Sequence, residues 1–171
     1  MKPQDIVVLS KILVLHNTKV PIAELAGALG MSASETHAAI KRCELSGLLR
    51  ADEWQIHRTN AEEFILHGLK YAFPAVIGPP ERGIPTAHSA PPLSLKIISD
   101  VDDLYVWPYA QGRSRGTSIQ PLYSSVPKAV LNDESLYEFL ALIDALRIGR
   151  VRERQIAEEE LMQRIRQGSE K

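Results

Sequence analysis

With 171 residues, 44% of them apolar, the chain has the length of one medium domain, or of a small domain with an extension, and enough apolar side chains to fill a core. A formal net charge of −1 excludes binding to nucleic acid through overall basicity, so such a contact needs local clustering or a dimer presenting two copies. The lone Cys43 excludes an internal disulfide and points to a reducing compartment.

Asp5 interrupts the early apolar run, so no signal peptide is expected, and no stretch approaches the roughly 20 apolar residues of a membrane span. The expected location is cytoplasmic, with no membrane partner. Pro3 suits a first helical turn. Ile6, Val7, Val8, Leu9, Ile12, Leu13, Val14 and Leu15 then predict a helix to about His16, apolar over most of its circumference and so buried on several sides. Asn17-Thr18 breaks it, and Lys19-Val20 is a candidate short strand. Pro21 opens the next helix. Leu25, Ala26 and Leu29 give it one buried stripe, and Gly30 ends it in the left-handed conformation that glycine tolerates.

Ser32-Ala33-Ser34-Glu35 fits a capping box, the Ser32 hydroxyl meeting the N–H three residues on and Glu35 reaching back. The helix that follows runs from about 33 to 46. Its apolar seam is Thr36, Ala39, Ile40 and Cys43, and Gly47 stops it. Leu48–Ala51 and Gln55–Arg58 read as two strands of a compact wing around Asp52-Glu53-Trp54.

The residues Glu24-Leu25-Ala26, Leu29-Gly30-Met31-Ser32, Ser34, Thr36, Ile40-Lys41-Arg42 and Ser46-Gly47-Leu48-Leu49 together resemble the helix-turn-helix half of winged-helix transcriptional regulators of the MarR-like group. The resemblance covers about one third of the chain, from Asp5 to Asn60. It implies DNA binding, with the small Ala26 letting the helices cross closely and the apolar seam seating a recognition helix. With Thr36, Ile40 and Cys43 inward, Ser34, His37, Ala38 and Lys41 face outward. Ser34 and His37 can donate to base edges or phosphates, Ala38 permits approach to a thymine methyl, and Lys41 reaches phosphate or guanine. Ser32 at the cap, Arg42 on the flank, and Arg50 and Arg58 on the wing complete the expected DNA-binding set. Residues 1–60 carry seven Lys/Arg against six Asp/Glu, a weak electrostatic signal, and the acidic Asp52-Glu53 tip argues against deep insertion of the wing. Cys43 lies on the core seam without a thiolate-stabilising pattern, which favours an inert thiol over a redox sensor.

Asn60-Ala61-Glu62-Glu63 starts a further helix that Pro74 must end. Residues 74–94 are dense in Pro and Gly, which argues against regular structure. Val76, Ile77, Ile84 and Leu93 favour an ordered extended segment wrapped over the protein rather than a loose linker. Leu95–Ile98, Leu104–Trp107 and Thr117–Leu122 are strand-like. An acidic turn (99–103) and the Gln111–Gly116 segment separate them. Arg113 and Arg115 sit in that segment, where an exposed basic tip is favoured over a contact to phosphate. A short helix over 125–131 precedes a long helical tract from Asp133 to Ile165, which Gly149 bends or splits. By the same resemblance, terminal helices of this kind dimerise.

The predicted fold class is mainly α with small β, an α+β chain. Residues 1–73 form a winged helix-turn-helix, 74–94 an extended Pro/Gly-rich segment, and 95–171 a region of short strands and a long helix. The expected function is sequence-specific, double-stranded DNA-binding regulation by a homodimer. An alternative is an antitoxin-like or adaptor module docking a protein partner at the Arg147–Arg154 region. Enzyme chemistry finds no motif: the five histidines are scattered, and phosphate loops, nucleophile elbows and metal spacings are missing. No catalytic residue, metal or cofactor is expected.

Overall fold

The computed structural model describes residues 1–16, 18–50, 52–97 and 103–167. Helices dominate, with two small sheets, so the architecture is α+β. Helix α1 (Pro3–Val14) begins with proline in its first turn, and Ile6 to Leu9, Ile12 and Leu13 are all buried. A helix apolar on so many sides must be enclosed. Helix α3 (Ala33–Leu45) packs on one side of it and α7 (Glu134–Ile148) on another.

Between them, α2 (Ile22–Leu29) buries Leu25, Ala26 and Leu29 and closes at Gly30, whose φ of 61° is the left-handed C-cap that only glycine adopts without strain. Ser32 then caps α3 by accepting from the Glu35 N–H at 3.1 Å. The return half of the expected capping box does not form. Glu35 turns sideways to accept from Gln4 and Arg42 instead.

Strands β1 (Leu49–Arg50) and β2 (Gln55–Ile56) pair antiparallel, Leu49 opposite Ile56, over the buried Trp54. The second strand stops at Ile56, two residues earlier than its pattern predicts. Arg58 opens α4 (Arg58–Glu63), which continues through a π-helical turn at Phe64–Gly68 into α5 (Leu69–Ala72). Asn60 therefore lies inside a helix, where its side-chain amide donates to the Gly47 carbonyl at 2.7 Å. Lys19-Val20 is not a strand.

Residues 74–94 are more regular than their composition suggests. Ile77–Pro85 is strand β3, and 3-10 turns follow at Ala87–Ser89 and Leu93–Leu95, the last replacing the strand expected from Leu95. Ile98 and the acidic residues 99–102 lie outside the described residues. Strand β3 pairs antiparallel with both β4 (Tyr105–Pro108) and β5 (Ser114–Ile119), and β4 and β5 pair parallel, closing a miniature three-stranded barrel. Closure is tight at Gly83, where a Cβ would run into the Trp107 carbonyl. Pro79 and Pro80 are tolerated because the ladder is bulged between Ile77 and Pro80, and Pro85 is the last residue of the strand. Strand β5 starts three residues earlier than predicted, which places Arg115 in the ladder rather than in a loop.

After α6 (Val126–Ala129), the tract from 133 to 165 is two helices. Helix α7 ends at Gly149, where the backbone turns extended (φ −62°, ψ 154°), and α8 (Val151–Arg166) folds back against it. Nearly every residue of α7 from Leu136 to Leu146 is buried, against α1, α5, α8 and the 3-10 turn at Ala87–Ser89. One continuous apolar core therefore reaches from Ile6 to Ile165, crossing the boundaries expected at 73/74 and 94/95.

At the middle of α7, the Asp144 carboxylate is 1% exposed. It accepts from Trp107 Nε1 at 2.6 Å, Thr86 Oγ1 at 2.9 Å and Arg147 Nη1 at 2.7 Å. Arg147 also donates to the Phe73 and Pro74 carbonyls at 2.9 and 3.1 Å. Burial pushes the Asp144 carboxyl above its ordinary range, and Arg147 with the two neutral donors pulls against that shift. Asp144→Ala leaves Arg147, Thr86 and Trp107 unsatisfied, so urea unfolding should show a loss of about 3–5 kcal/mol. A loss no larger than the roughly 0.5 kcal/mol of an ordinary surface substitution would contradict this role.

Candidate nucleic-acid interface

Helix α3 divides cleanly. Thr36, Ala39, Ile40 and Cys43 are buried, Thr36 and Cys43 completely. On the other side Ser34, His37 and Lys41 are exposed and Ala38 is half-buried, so these four residues form one open row along the helix. Ser32 is exposed at the N-terminus, where unsatisfied N–H groups and the helix dipole add partial positive charge. Among the described residues, none from the C-terminal half of the chain covers this row.

What anchors the helix is a charged cluster at its inner flank. Asp5, on α1, is completely buried. Arg42 Nε donates to both Asp5 oxygens at 3.0 and 2.9 Å, and Arg42 Nη2 bridges Asp5 and Glu35, each at 2.6 Å. The Lys2 N–H adds a third donor to Asp5 at 2.6 Å. The hydrogen bond to Asp5 above all holds the Arg42 guanidinium protonated beyond its ordinary range, and the Arg42 bond holds the Glu35 carboxyl below its own. Arg42 is thus the tie between α1 and α3, and its fork is occupied within the chain rather than offered to a phosphate.

Arg58 departs further from expectation. It lies off the wing, with Nη1 bonded to the Ile165 carbonyl at the end of α8, an arginine closing a helix C-terminus. Burial pulls its guanidinium below its ordinary value. Arg50 is exposed on the β1–β2 hairpin but pairs with Glu53 at 3.4 Å. Lys41 pairs with Glu44 at 2.9 Å, and that bond holds the ammonium above its ordinary value. Of the eight residues expected at the interface, Ser32, Ser34, His37, Ala38 and Lys41 lie on one helix, Arg50 is exposed on the β1–β2 hairpin, and Arg42 and Arg58 face inward.

Of the four C-terminal arginines, Arg147 is withdrawn from the surface, while Arg150 and Arg152 are exposed at the start of α8. Arg147 is bound inside the core, Arg150 pairs with Asp103 at 2.9 Å, and among the described residues no ion pair joins Arg154 to Glu158. The apolar stripe of α7 is covered by the chain itself. Buried His88 donates its Nε2–H to the Asp103 carbonyl, 2.7 Å away, with Glu153 3.8 Å from Nδ1. A pocket of about 340 Å³ between α1, α7 and α8 has Leu13, Val14 and Phe139 in its lining, and its Glu138, Glu160 and Arg164 are already paired with one another. Among the described residues no three His, Cys, Asp or Glu side chains converge on a metal position, and no helix is long and apolar enough to cross a membrane.

Comparison with protein-family models, curated proteins and solved structures gives no match. The reading of this surface therefore rests on its own geometry.

Two outcomes separate anchoring from surface residues. Arg42→Gln strands the buried Asp5 and should cost about 2–4 kcal/mol in urea unfolding, whereas Lys41→Gln should leave the melting temperature unchanged; equal effects would contradict the assignment. Desolvation pushes the Cys43 thiol up to about 12, and its Sγ lies 3.6 Å from the Asp5 carbonyl. A thiol reagent should therefore modify Cys43 in denaturant but not in the folded chain; rapid labelling of the native protein would revive a redox role.

Proposed function

We propose that the chain is a sequence-specific DNA-binding regulator of winged-helix type, similar to the MarR-like group. In this reading it acts in the cytoplasm as a homodimer. The observation that carries the proposal is the open row Ser34, His37, Ala38 and Lys41 on a helix whose other side is seated in the core. In the major groove, Ser34 and His37 address base edges, Ala38 allows close approach, and Lys41 exchanges Glu44 for a guanine or a phosphate. Ser32 and the α3 N-terminus meet backbone phosphate, and Arg50 flanks it from the wing. Arg42 and Arg58 support the helix from behind. With the α7 stripe enclosed, a second copy has the outward side of α8 to pair against.

A second reading, a protein-interaction module on the same scaffold, is favoured by two features. Lys41 and Arg50 already carry acidic partners, and Leu45, at the end of the same helix, is 89% exposed. Selection against random duplexes at two salt concentrations separates the two. A regulator yields an enriched motif, palindromic for a homodimer, that Lys41→Glu abolishes and Lys41→Ala weakens by roughly tenfold or more. No enriched motif, with retention only at very low salt, would favour the interaction module.

A further inference from the structure

The end of the miniature barrel beside the 109–113 turn carries three arginines. Arg82 on β3 stands directly across the antiparallel ladder from Arg115 on β5. Side chains at such positions lie about 5 Å apart at Cβ, and like charges placed there destabilise the sheet. Arg113, two residues before Arg115, lies in the bend that leads into β5. All three are exposed, and none is in an ion pair with any described residue. Glu81 neighbours Arg82 along the strand, but the pleat sends it to the opposite side.

The turn completes the cluster. Tyr109 donates its N–H to the Arg82 carbonyl at 3.0 Å, which ties the turn to β3, and its hydroxyl to Gln111 Oε1 at 2.7 Å. The exposed large apolar residues lie elsewhere, at Met1, Leu45, Tyr71, Val76, Ile77, Leu95, Leu131 and Val151. Tyr109 is half-buried, and no exposed large apolar residue lies at this end to anchor a protein partner. Concentrated unpaired positive charge with planar hydrogen-bonding forks suits a chain of phosphates instead.

We propose that Arg82, Arg113 and Arg115 form a second, sequence-independent contact for the phosphodiester backbone of a nucleic acid. The path from α3 to this ribbon runs through α1 and α7, so the contact is separate from the recognition row and does not depend on it. Binding replaces the cross-strand repulsion of Arg82 and Arg115 with charge-assisted bonds to phosphate oxygens and releases counterions from the duplex.

The test uses the full chain and a random-sequence duplex, with affinity followed across a NaCl series. Converting Arg82, Arg113 and Arg115 together to Gln should make the slope of log affinity against log salt shallower by about 2–3, close to 0.9 for each phosphate that is no longer neutralised. The weakening should be the same for every duplex sequence. The double variant Arg113→Gln/Arg115→Gln, which leaves the β3 side intact, should give a change of about 2 by the same relation, and the triple Arg→Lys variant should restore most of the slope. His37→Ala with Lys41→Gln should alter sequence preference and leave the ribbon's share of the slope in place. An unchanged slope in the Gln variants overturns the proposal while leaving the α3 reading standing. Loss of binding to polyglutamate with duplex binding intact also overturns it, in favour of an acidic protein. If the α3 variants change nothing and the ribbon variants still flatten the slope, this inference stands and the recognition reading falls.

Discussion

The carboxylate of Asp144 is the point at which distant parts of the chain are tied together. Thr86 fixes the end of the extended segment to it, Trp107 brings the miniature barrel, and Arg147 carries the exit from α5 through the Phe73 and Pro74 carbonyls. A buried carboxylate is costly unless it is both paired and hydrogen-bonded, and here every strong donor within reach is used. Such a node specifies one arrangement of Thr86, the barrel and α7, because displacing any of them leaves a charge or a donor stranded in the core.

From that node the support for the α3 surface can be followed outward. Helix α7 packs on α1, and α1 holds Asp5 under α3, where Arg42 grips it. Two buried acids, Asp5 and Asp144, do the same job in different places: each uses an arginine to fasten segments distant in sequence within one core. Precision at the outer row of α3 then follows from rigidity behind it, since a helix clamped on its inner side presents its outer side chains at fixed spacing. A charged tie also explains why Arg42, beside the exposed Lys41 in sequence, is turned away from solvent.

Features set by neighbours in sequence are legible, and those set by long-range pairing are not. The Leu25–Ala26–Leu29 stripe, the Gly30 stop, the Ser32 cap and the inward seam of α3 follow from helical periodicity and capping, so they appear where the pattern puts them. Arg42 lies 37 residues from Asp5, and Thr86 and Trp107 lie 58 and 37 residues from Asp144. No local pattern carries such separations. An arginine on a helix flank looks the same whether it meets water, phosphate or a buried acid, which is why sequence alone assigns Arg42 and Arg58 to the interface. The β3 strand is hidden by its prolines, which lack the N–H a ladder uses but are accommodated at a bulge and at the strand's last residue. Arg82 carries no local signal for a related reason: its significance lies in standing opposite Arg115, and register is not visible until both strands are in place. The split at Gly149 is legible as a weak point, and the folding back of α8 is decided by the apolar sides that both helices need to bury.

The most direct measurement is a map of backbone amide signals of the full chain as the duplex enriched in selection is added. Perturbation should concentrate at residues 32–41, with the turn and ribbon around Arg82, Arg113 and Arg115 responding as a second, sequence-independent patch and the core of α7 silent. Signals in 32–41 that stay unchanged at saturation, with shifts confined to α8 or spread evenly over the chain, would contradict the assignment of α3 as the surface that reads the duplex.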